Sequence, residues 1–462
     1  METAKREKRG YRMDMVSGPL AGKLLVFALP LMLSSLLQLL FNAADIVVVG
    51  RFVGKEALAA VNACTPVYNL MVGFFMGMST GASVIFSRSL GEEDYDRLHN
   101  GIHTTVLFTL CLGVAMGVAG VALVPAALTL LNCRADIIGL AGEYLRLYMA
   151  GIVFTAFYNV GAAVLRSVGD SRDPFLALVS SSLINIVLDL VFVCVFDWGV
   201  GGVAVATVLA QVFSVGMVFR EAARLDPRYR LELRRLRIDW PLLREVLAMG
   251  LPTGVQSSLI AFSNIFVNRY INSISSDLMA GVGVAQKVDR FINMPCQAIG
   301  LAATTFVSQN IGARKKDRIR KGMATCMAIG LASVAVTGGA IFFSAPSLMR
   351  LFNRDPAVIR YGSDMMRMLA PLYVLCLVTQ VTSGLMRGFG YSRQVTVCSL
   401  LGMVVIRQVF LAAAMPVWRS PYVIYAGYPV GWLFDALGNV LFAAALYRRG
   451  TLSKVFEEPP GP

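Results

Sequence analysis

The sequence predicts an all-α membrane protein, with twelve transmembrane helices in two pseudo-symmetric six-helix bundles. Three observations predict it. Mean hydropathy is +0.65 and 56% of the residues are hydrophobic, far above a soluble chain of this length. Twelve apolar runs reach or exceed the roughly 20 residues that cross about 30 Å of hydrocarbon. The chain also repeats itself at an offset of about 221 residues. That offset pairs Gly91 with Gly312, Asp96 with Asp317, Arg97 with Arg318, Gly101 with Gly322, Asn132 with Asn353 and Arg146 with Arg367. The stretch Arg166-Ser167-Val168-Gly169-Asp170 is answered by Arg387-Gly388-Phe389-Gly390-Tyr391, and, one residue out of step, Leu29-Pro30 by Leu251-Pro252. Duplication of a membrane bundle is typical of secondary transporters, whose substrate passes between the copies.

The first run, 20–50, follows a polar stretch carrying Lys5, Arg6, Lys8 and Arg9. It is too long for a signal-peptide core and no small-residue cleavage pattern follows, so it is expected to stay as the first span. Pro30 breaks its hydrogen-bond ladder and Pro252 does the same in the seventh run, which makes Pro30 a candidate hinge. Runs 57–87, 97–131, 136–167, 174–196 and 201–221 complete the first copy. The second copy follows as 242–270, 279–308, 318–352, 357–388, 394–417 and 421–447. The expected segments are therefore a cytoplasmic N-terminus 1–19, an N-lobe 20–221, a basic linker 222–241, a C-lobe 242–448 and a cytoplasmic tail 449–462. Six spans per copy is an even number, so both copies enter the membrane in the same direction, as parallel repeats. Leu231, Leu233 and Leu236 of the linker suit a short amphipathic helix in the headgroup layer.

The net charge of +14 is distributed as a topology signal. The N-terminus, the even-to-odd connections and the C-terminus hold about 27 Lys and Arg, and the other connections about 7, so both termini are expected in the cytoplasm of a bacterial-type inner membrane. Nucleic-acid binding is not expected. The eight cysteines lie in or beside apolar runs without CxxC spacing and read as small buried hydrophobes. His99 and His103 stand four apart at the start of the third run and read as solvated helix residues, not metal ligands. No cofactor is expected, and no GxxxxGK[ST] loop is present to bind nucleotide.

Ionisable residues inside spans are costly and mark function by default. The N-lobe holds two acids with amides at helical spacing: Gln38, Asn42 and Asp45 on the first span, and Asn185 with Asp189 on the fifth. At 1.5 Å per residue Asp189 lies about 22 Å above the start of its span near Pro174, and Asp45 about 9 Å below Arg51. Tyr144 and Thr207 reach similar heights from the fourth and sixth spans. A carboxylate pair with hydroxyl and amide neighbours and no base at its level suits a proton or a hard cation such as Na⁺. In the C-lobe Asn264 stands on the seventh span and Gln380 on the tenth. Lys287, Asp289, Arg290, Arg407 and Asp435 are expected to neutralise one another, for instance Arg407 with Asp435. Gln38, Phe75, Met78, Phe157, Asn264 and Gln380 are candidates for an adaptable substrate cavity.

At these residues the chain resembles the multidrug and toxic compound extrusion (MATE) transporter family over essentially its whole length. The likeness rests on Pro30, Asn42-Ala43-Ala44-Asp45, the Gly91-centred loop, Arg166…Gly169-Asp170 with its echo Arg387…Gly390, and Asn185…Asp189. It looks most like the branch with DinF-like and MepA-like members. The resemblance implies export of organic, often cationic or lipophilic, compounds by rocking between outward- and inward-facing states, coupled to inward H⁺ or Na⁺. By position it implies Asp45, Asn185 and Asp189 as ion-site residues, with Asn42, Tyr144 and Thr207 as neighbours. The acids of the NorM-like C-lobe site are missing from the seventh and tenth spans. The expected partners are small organic substrates and the bilayer, around a monomer. The runner-up is a flippase for lipid-linked glycans, which calls for a strongly cationic cavity. An enzyme, such as a membrane-embedded transferase, would need DDxxD or a His–acid pair near the spans, and neither is present.

Overall fold

Fifteen α-helices make up the described residues of the computed structural model, 13–131, 133–450 and 456, and no strand occurs among them. The basic cluster of the N-terminus, Asn132 and most of the C-terminal tail lie outside the described residues. In chain order the helices are α1 Leu20–Val48, α2 Lys55–Gly91, α3 Tyr95–Leu130, α4 Ile138–Ala150, α5 Ile152–Ser167, α6 Arg172–Leu190 and α7 Gly199–Ala223. After the linker come α8 Trp240–Asn272, α9 Ser276–Gly312, α10 Lys316–Arg350, α11 Pro356–Leu369, α12 Tyr373–Gly388, α13 Ser392–Leu400, α14 Arg407–Val417 and α15 Pro421–Arg448. Wide π-turns extend α1 over Val49–Val53 and α6 over Val191–Val195, and join α13 to α14 over Leu401–Ile406.

Helix starts carry the expected chemistry. Asp94, Ser275 and Asp355 accept the backbone N–H groups of Arg97, Leu278 and Ala357 at 2.9, 3.1 and 2.8 Å. Pro356 and Pro421 occupy first-turn positions whose N–H has no helical partner. The repeat seen in the sequence recurs in the backbone. Helices α2 and α9 both run 37 residues. The tight turns after them place Glu93 at φ 59° and Arg314 at φ 55°, an uncommon left-handed conformation at matching positions. Gly169 and Gly390 match in the same way, at φ 85° and 93°.

Ten helical stretches among the described residues are long and apolar enough to cross a bilayer, and the pair α4–α5, bent by 45° around Gly151, makes eleven. The remaining expected span, α9, is long enough but carries Lys287, Asp289 and Arg290 near its middle. All backbone groups in a span must bond within the protein, which long helices achieve segment by segment.

The chain packs as two compact units. Among the described residues, one holds 33–254 with those before Met15, and the other holds 15–32 with those from 255 onward. Helix α1 thus changes partners just after Pro30. Its early residues Leu24, Phe27, Ala28 and Leu31 are buried in the core of the second unit with Val267, Val288 and Ile292. Helix α8 makes the reverse change just after Pro252. Its Gly250 and Gly254 interlock with Gly77 and Gly81 of α2 in the first unit. A Cβ on Gly77 would come 2.5 Å from the backbone of Gly254, and one on Gly81 would overlap Gly250. Two GxxxG pairs facing each other allow this backbone approach, which drives association where lipid removes the hydrophobic incentive.

The linker departs from the expected amphipathic helix. Only Leu233–Arg235 form a single 3₁₀ turn. Tyr229 and Leu231 are buried in the first unit's core, and Leu236 packs against it, because the segment folds back onto the start of α3. Arg228 lies 3.8 Å over the ring of Tyr95, which stacks on Tyr229. Thr104 Oγ1 donates to Arg237 O at 3.2 Å and accepts from Asp239 N–H at 3.0 Å. His103 is not solvated: it is 0% exposed, bonded through Nδ1 to His99 O at 2.7 Å and through Nε2 to the backbone of Glu232. His103→Ala should leave buried linker backbone groups without a partner and loosen the strap. Limited trypsin digestion at Arg234 and Arg235 should then be several-fold faster than in the parent; an unchanged rate would show that the histidine does not hold the linker.

Candidate functional site

The first unit gathers the polar groups predicted from the N-lobe spans. Asp189 is 0% exposed on α6, with Asn185 one turn earlier at 7%. Asp45 is half-buried on α1. The two carboxyl groups face each other closely enough to share one hydrogen bond when a proton lies between them. As two ionised acceptors they cannot bond each other. No donor among the described residues reaches either oxygen of Asp189, Oδ1 of Asp45, or offers Asn185 Nδ2 an acceptor. Buried polar atoms are normally satisfied, which sets these carboxylate oxygens apart.

Local structure explains why the acids meet. Each is followed within a turn or so by a π-turn, Val49–Val53 after Asp45 and Val191–Val195 after Asp189. Such wide turns recur at functional sites. Val49 and Val193 share one small core with Val200 and Val203, and Tyr144 packs on it, so the two wide turns pin the acids at one height.

Tyr144 lies near both acids. Two further tyrosines complete the wall. Tyr68 of α2 faces Asp45 and meets Tyr148 of α4 edge-on, with ring centres 4.9 Å apart. Tyr144 and Tyr148 stack at 6.4 Å. The phenol oxygen of Tyr148 is buried near Tyr68 and Thr155. Sequence reasoning missed Tyr68 and Tyr148, because an aromatic in an apolar run reads as core. Their spacing offered one signal: Tyr144 and Tyr148 stand four apart, on the helix face already assigned to Tyr144.

Other expected residues lie elsewhere. Thr207 donates its hydroxyl to Val203 O of its own helix at 2.9 Å rather than to the acids. Asn42 and Gln38 are exposed on α1. Of the cavity candidates, Phe75 and Met78 are buried in the first unit and Phe157 packs edge-on against Phe219. In the second unit Asn264 is exposed and Gln380 half-buried.

The expected pairing of Arg407 with Asp435 does not form. Arg407 Nη2 donates to Ser263 Oγ at 2.7 Å, whereas Asp435 Oδ1 accepts from Ser399 Oγ at 3.0 Å and Asn439 Nδ2 at 2.7 Å. Opposite charge paired the two residues in the sequence reading, but they point to different neighbours around their helices. Lys287 lies 5.8 Å over the ring of Phe352. Among the described residues no ion pair joins Lys287, Asp289, Arg290, Arg407 or Asp435. No group of three or more metal-ligating side chains occurs among them either.

Comparison with known proteins agrees with this layout. The MatE family profile matches residues 30–191 and again 252–412, one match per copy. The chain is 28% identical over 447 residues to a probable multidrug resistance protein, YpnP, of Bacillus subtilis, covering 96% of this chain and 99% of that one. It is 20% identical over 401 residues to the multidrug export protein MepA of Staphylococcus aureus, covering 86% and 88%. Among solved structures, an outward-facing conformation of a multidrug resistance MATE family transporter of the MOP superfamily superposes with a TM-score of 0.88 at 22% identity, over 98% of this chain and all of that one. With a family match in each copy, over more than half of the chain, and helices suited to a bilayer, this multi-pass membrane protein belongs to the MatE family of transporters.

Proposed function

We propose that the protein is a secondary antiporter that exports organic, cationic or lipophilic compounds against inward movement of H⁺ or Na⁺. The observation that carries this reading is the pair of buried Asp189 and half-buried Asp45, in which both oxygens of Asp189 and Oδ1 of Asp45 meet no donor among the described residues, with Asn185 and Tyr144 nearby. Such a pair holds a proton between two oxygens, or offers oxygen ligands to a hard cation. For a neutral substrate an inward elementary charge contributes about 2.3 kcal/mol per 100 mV, whereas a one-for-one exchange with a monovalent organic cation is electroneutral and draws on the ion's concentration gradient alone. The names of YpnP and MepA as multidrug proteins support the substrate class. In this reading the protein works as a monomer in an inner membrane with both termini in the cytoplasm.

The test is uptake of a fluorescent organic cation into inverted membrane vesicles, with a proton or a sodium gradient imposed alone. Uptake driven by one of them is expected. Uptake that follows neither gradient and requires ATP would overturn the reading.

Coupling also needs an element with two shapes that ion and substrate bias differently. We propose α1, which changes packing partner between Met32 and Leu33, just beyond Pro30. Pro30→Ala restores a helical N–H, straightens the helix and should lower turnover several-fold more than protein level. Pro252→Ala acts in a helix without matching acids and should be milder. Equal losses in both variants, or none in Pro30→Ala, would reduce the prolines to static kinks.

A further inference from the structure

Arg407 has the largest fully buried side chain among the described residues, 1% exposed, and it lies inside the second unit. It opens α14 directly behind the wide turn Leu401–Ile406. A guanidinium carries a permanent charge and five donors. One donor reaches Ser263 Oγ, while Nε has no partner among the described residues. The guanidinium carbon lies 5.9 Å from the centre of the Tyr428 ring. No ion pair among the described residues neutralises it: Asp435 is held by Ser399 and Asn439, and Asp289, which lies near the same Tyr428, has Arg290 of its own helix beside it. A charge in a bundle interior is stable only with a counter-charge, so this cation lacks an anion.

The surroundings say what kind of anion. Gln408 Nε2 also donates to Ser263, to O at 3.0 Å and to Oγ at 2.9 Å, so that hydroxyl oxygen already accepts twice. Gln286 Nε2 donates to Tyr428 Oη at 3.2 Å, which leaves the Tyr428 O–H to donate. A fork of N–H groups and a phenol O–H therefore stand beside the Tyr428–Trp432 aromatic pair, ring centres 6.4 Å apart. Arginine's planar fork matches a planar carboxylate, and aromatic rings match a flat hydrophobic body.

We propose that the second unit contains a carboxylate-binding site centred on Arg407, with Tyr428 as second donor, which takes the acid group of an aromatic organic acid. This site is separate from the acids of the first unit, and it gives the protein a means of binding compounds that carry a negative group.

The test is equilibrium dialysis of 2-naphthoate against the full chain in an uncharged detergent. Saturable binding is expected, with no competition from 2-naphthamide, which has the same rings without the charge. Arg407→Gln should weaken binding at least tenfold, Arg407→Lys less, and Tyr428→Phe several-fold. Thermal melting provides a second readout. Arg407→Met removes an unneutralised buried charge, so without ligand it should melt at or above the parent temperature. Naphthoate should raise the melting temperature of the parent and leave that of Arg407→Met unchanged. The proposal is overturned by equal naphthoate binding in Arg407→Gln, by equal competition from 2-naphthamide or inorganic phosphate, or by a lower melting temperature in Arg407→Met with no naphthoate shift in the parent. If the Arg407 variants fail to fold, unchanged binding in Tyr428→Phe overturns it as well. No ion gradient enters these measurements, so their failure leaves the antiport reading standing.

Discussion

Asp189→Asn is expected to abolish gradient-driven efflux while the protein still reaches the membrane near the parent level. Asn has nearly the same size as Asp, but it carries no charge for a proton or Na⁺ to neutralise. Asp189 is fully buried and no donor among the described residues reaches its oxygens; the one hydrogen bond it can share with Asp45 needs a proton, and the Asn amide can donate to Asp45 in its place. Removing an unpaired buried charge is rarely destabilising, whereas removing one partner of a satisfied pair costs several kcal/mol. Asp45→Asn should behave in the same way. Transport and membrane level measured together separate the outcomes. Unchanged efflux in both variants would remove the ion-site assignment, and loss of folded protein would make the pair a structural tie.

The second large effect concerns packing. Gly81→Val should sharply reduce the yield of folded protein, because its Cβ would overlap Gly250 of α8. Backbone against backbone leaves no flexible side chain to move aside, so the helices must separate, and overpacking of this kind costs typically 1–3 kcal/mol, with rigid contacts at the upper end. Gly216→Ala is the control, since nothing lies within 4 Å of a Cβ there. Gel filtration in detergent compares the two. A monodisperse Gly81→Val protein at parent yield would mean that the two GxxxG faces are not needed for the first unit.

Much of this architecture was legible from residues alone, for physical reasons that also explain what was not. The repeat showed in polar residues at turns, and the same turns recur as paired backbone conformations at Glu93 and Arg314 and at Gly169 and Gly390. Asp45, Asn185 and Asp189 stood out because charged and amide groups within apolar runs are expensive. Heights were readable from the helical rise, but direction around the helix axis was not. Hence Tyr144 and Thr207 were placed at one height with the acids, while Thr207 bonds within its own helix; the neutralisation expected of Arg407 by Asp435 gives way to a bond with Ser263. The linker misled for a related reason. Its leucines fit an amphipathic helix, yet Tyr229, Leu231 and His103 together prefer a docked strap whose partners lie more than a hundred residues away in sequence. The change of partners along α1 and α8 is equally silent in composition. Only the facing glycines at 77, 81, 250 and 254 hint at it, and spacing alone does not say which GxxxG meets which.

The central claim is that one cation held between Asp45 and Asp189 exchanges for substrate. Ion release on substrate binding tests it most directly: add an organic cation to the full chain in weakly buffered detergent, with a pH dye for H⁺ and radioactive sodium for Na⁺. The parent protein is expected to release one of the two ions, and none should be released when Asp45 and Asp189 are both replaced by Asn. Substrate binding that releases neither ion from the parent, or release that persists in the double variant, would contradict it.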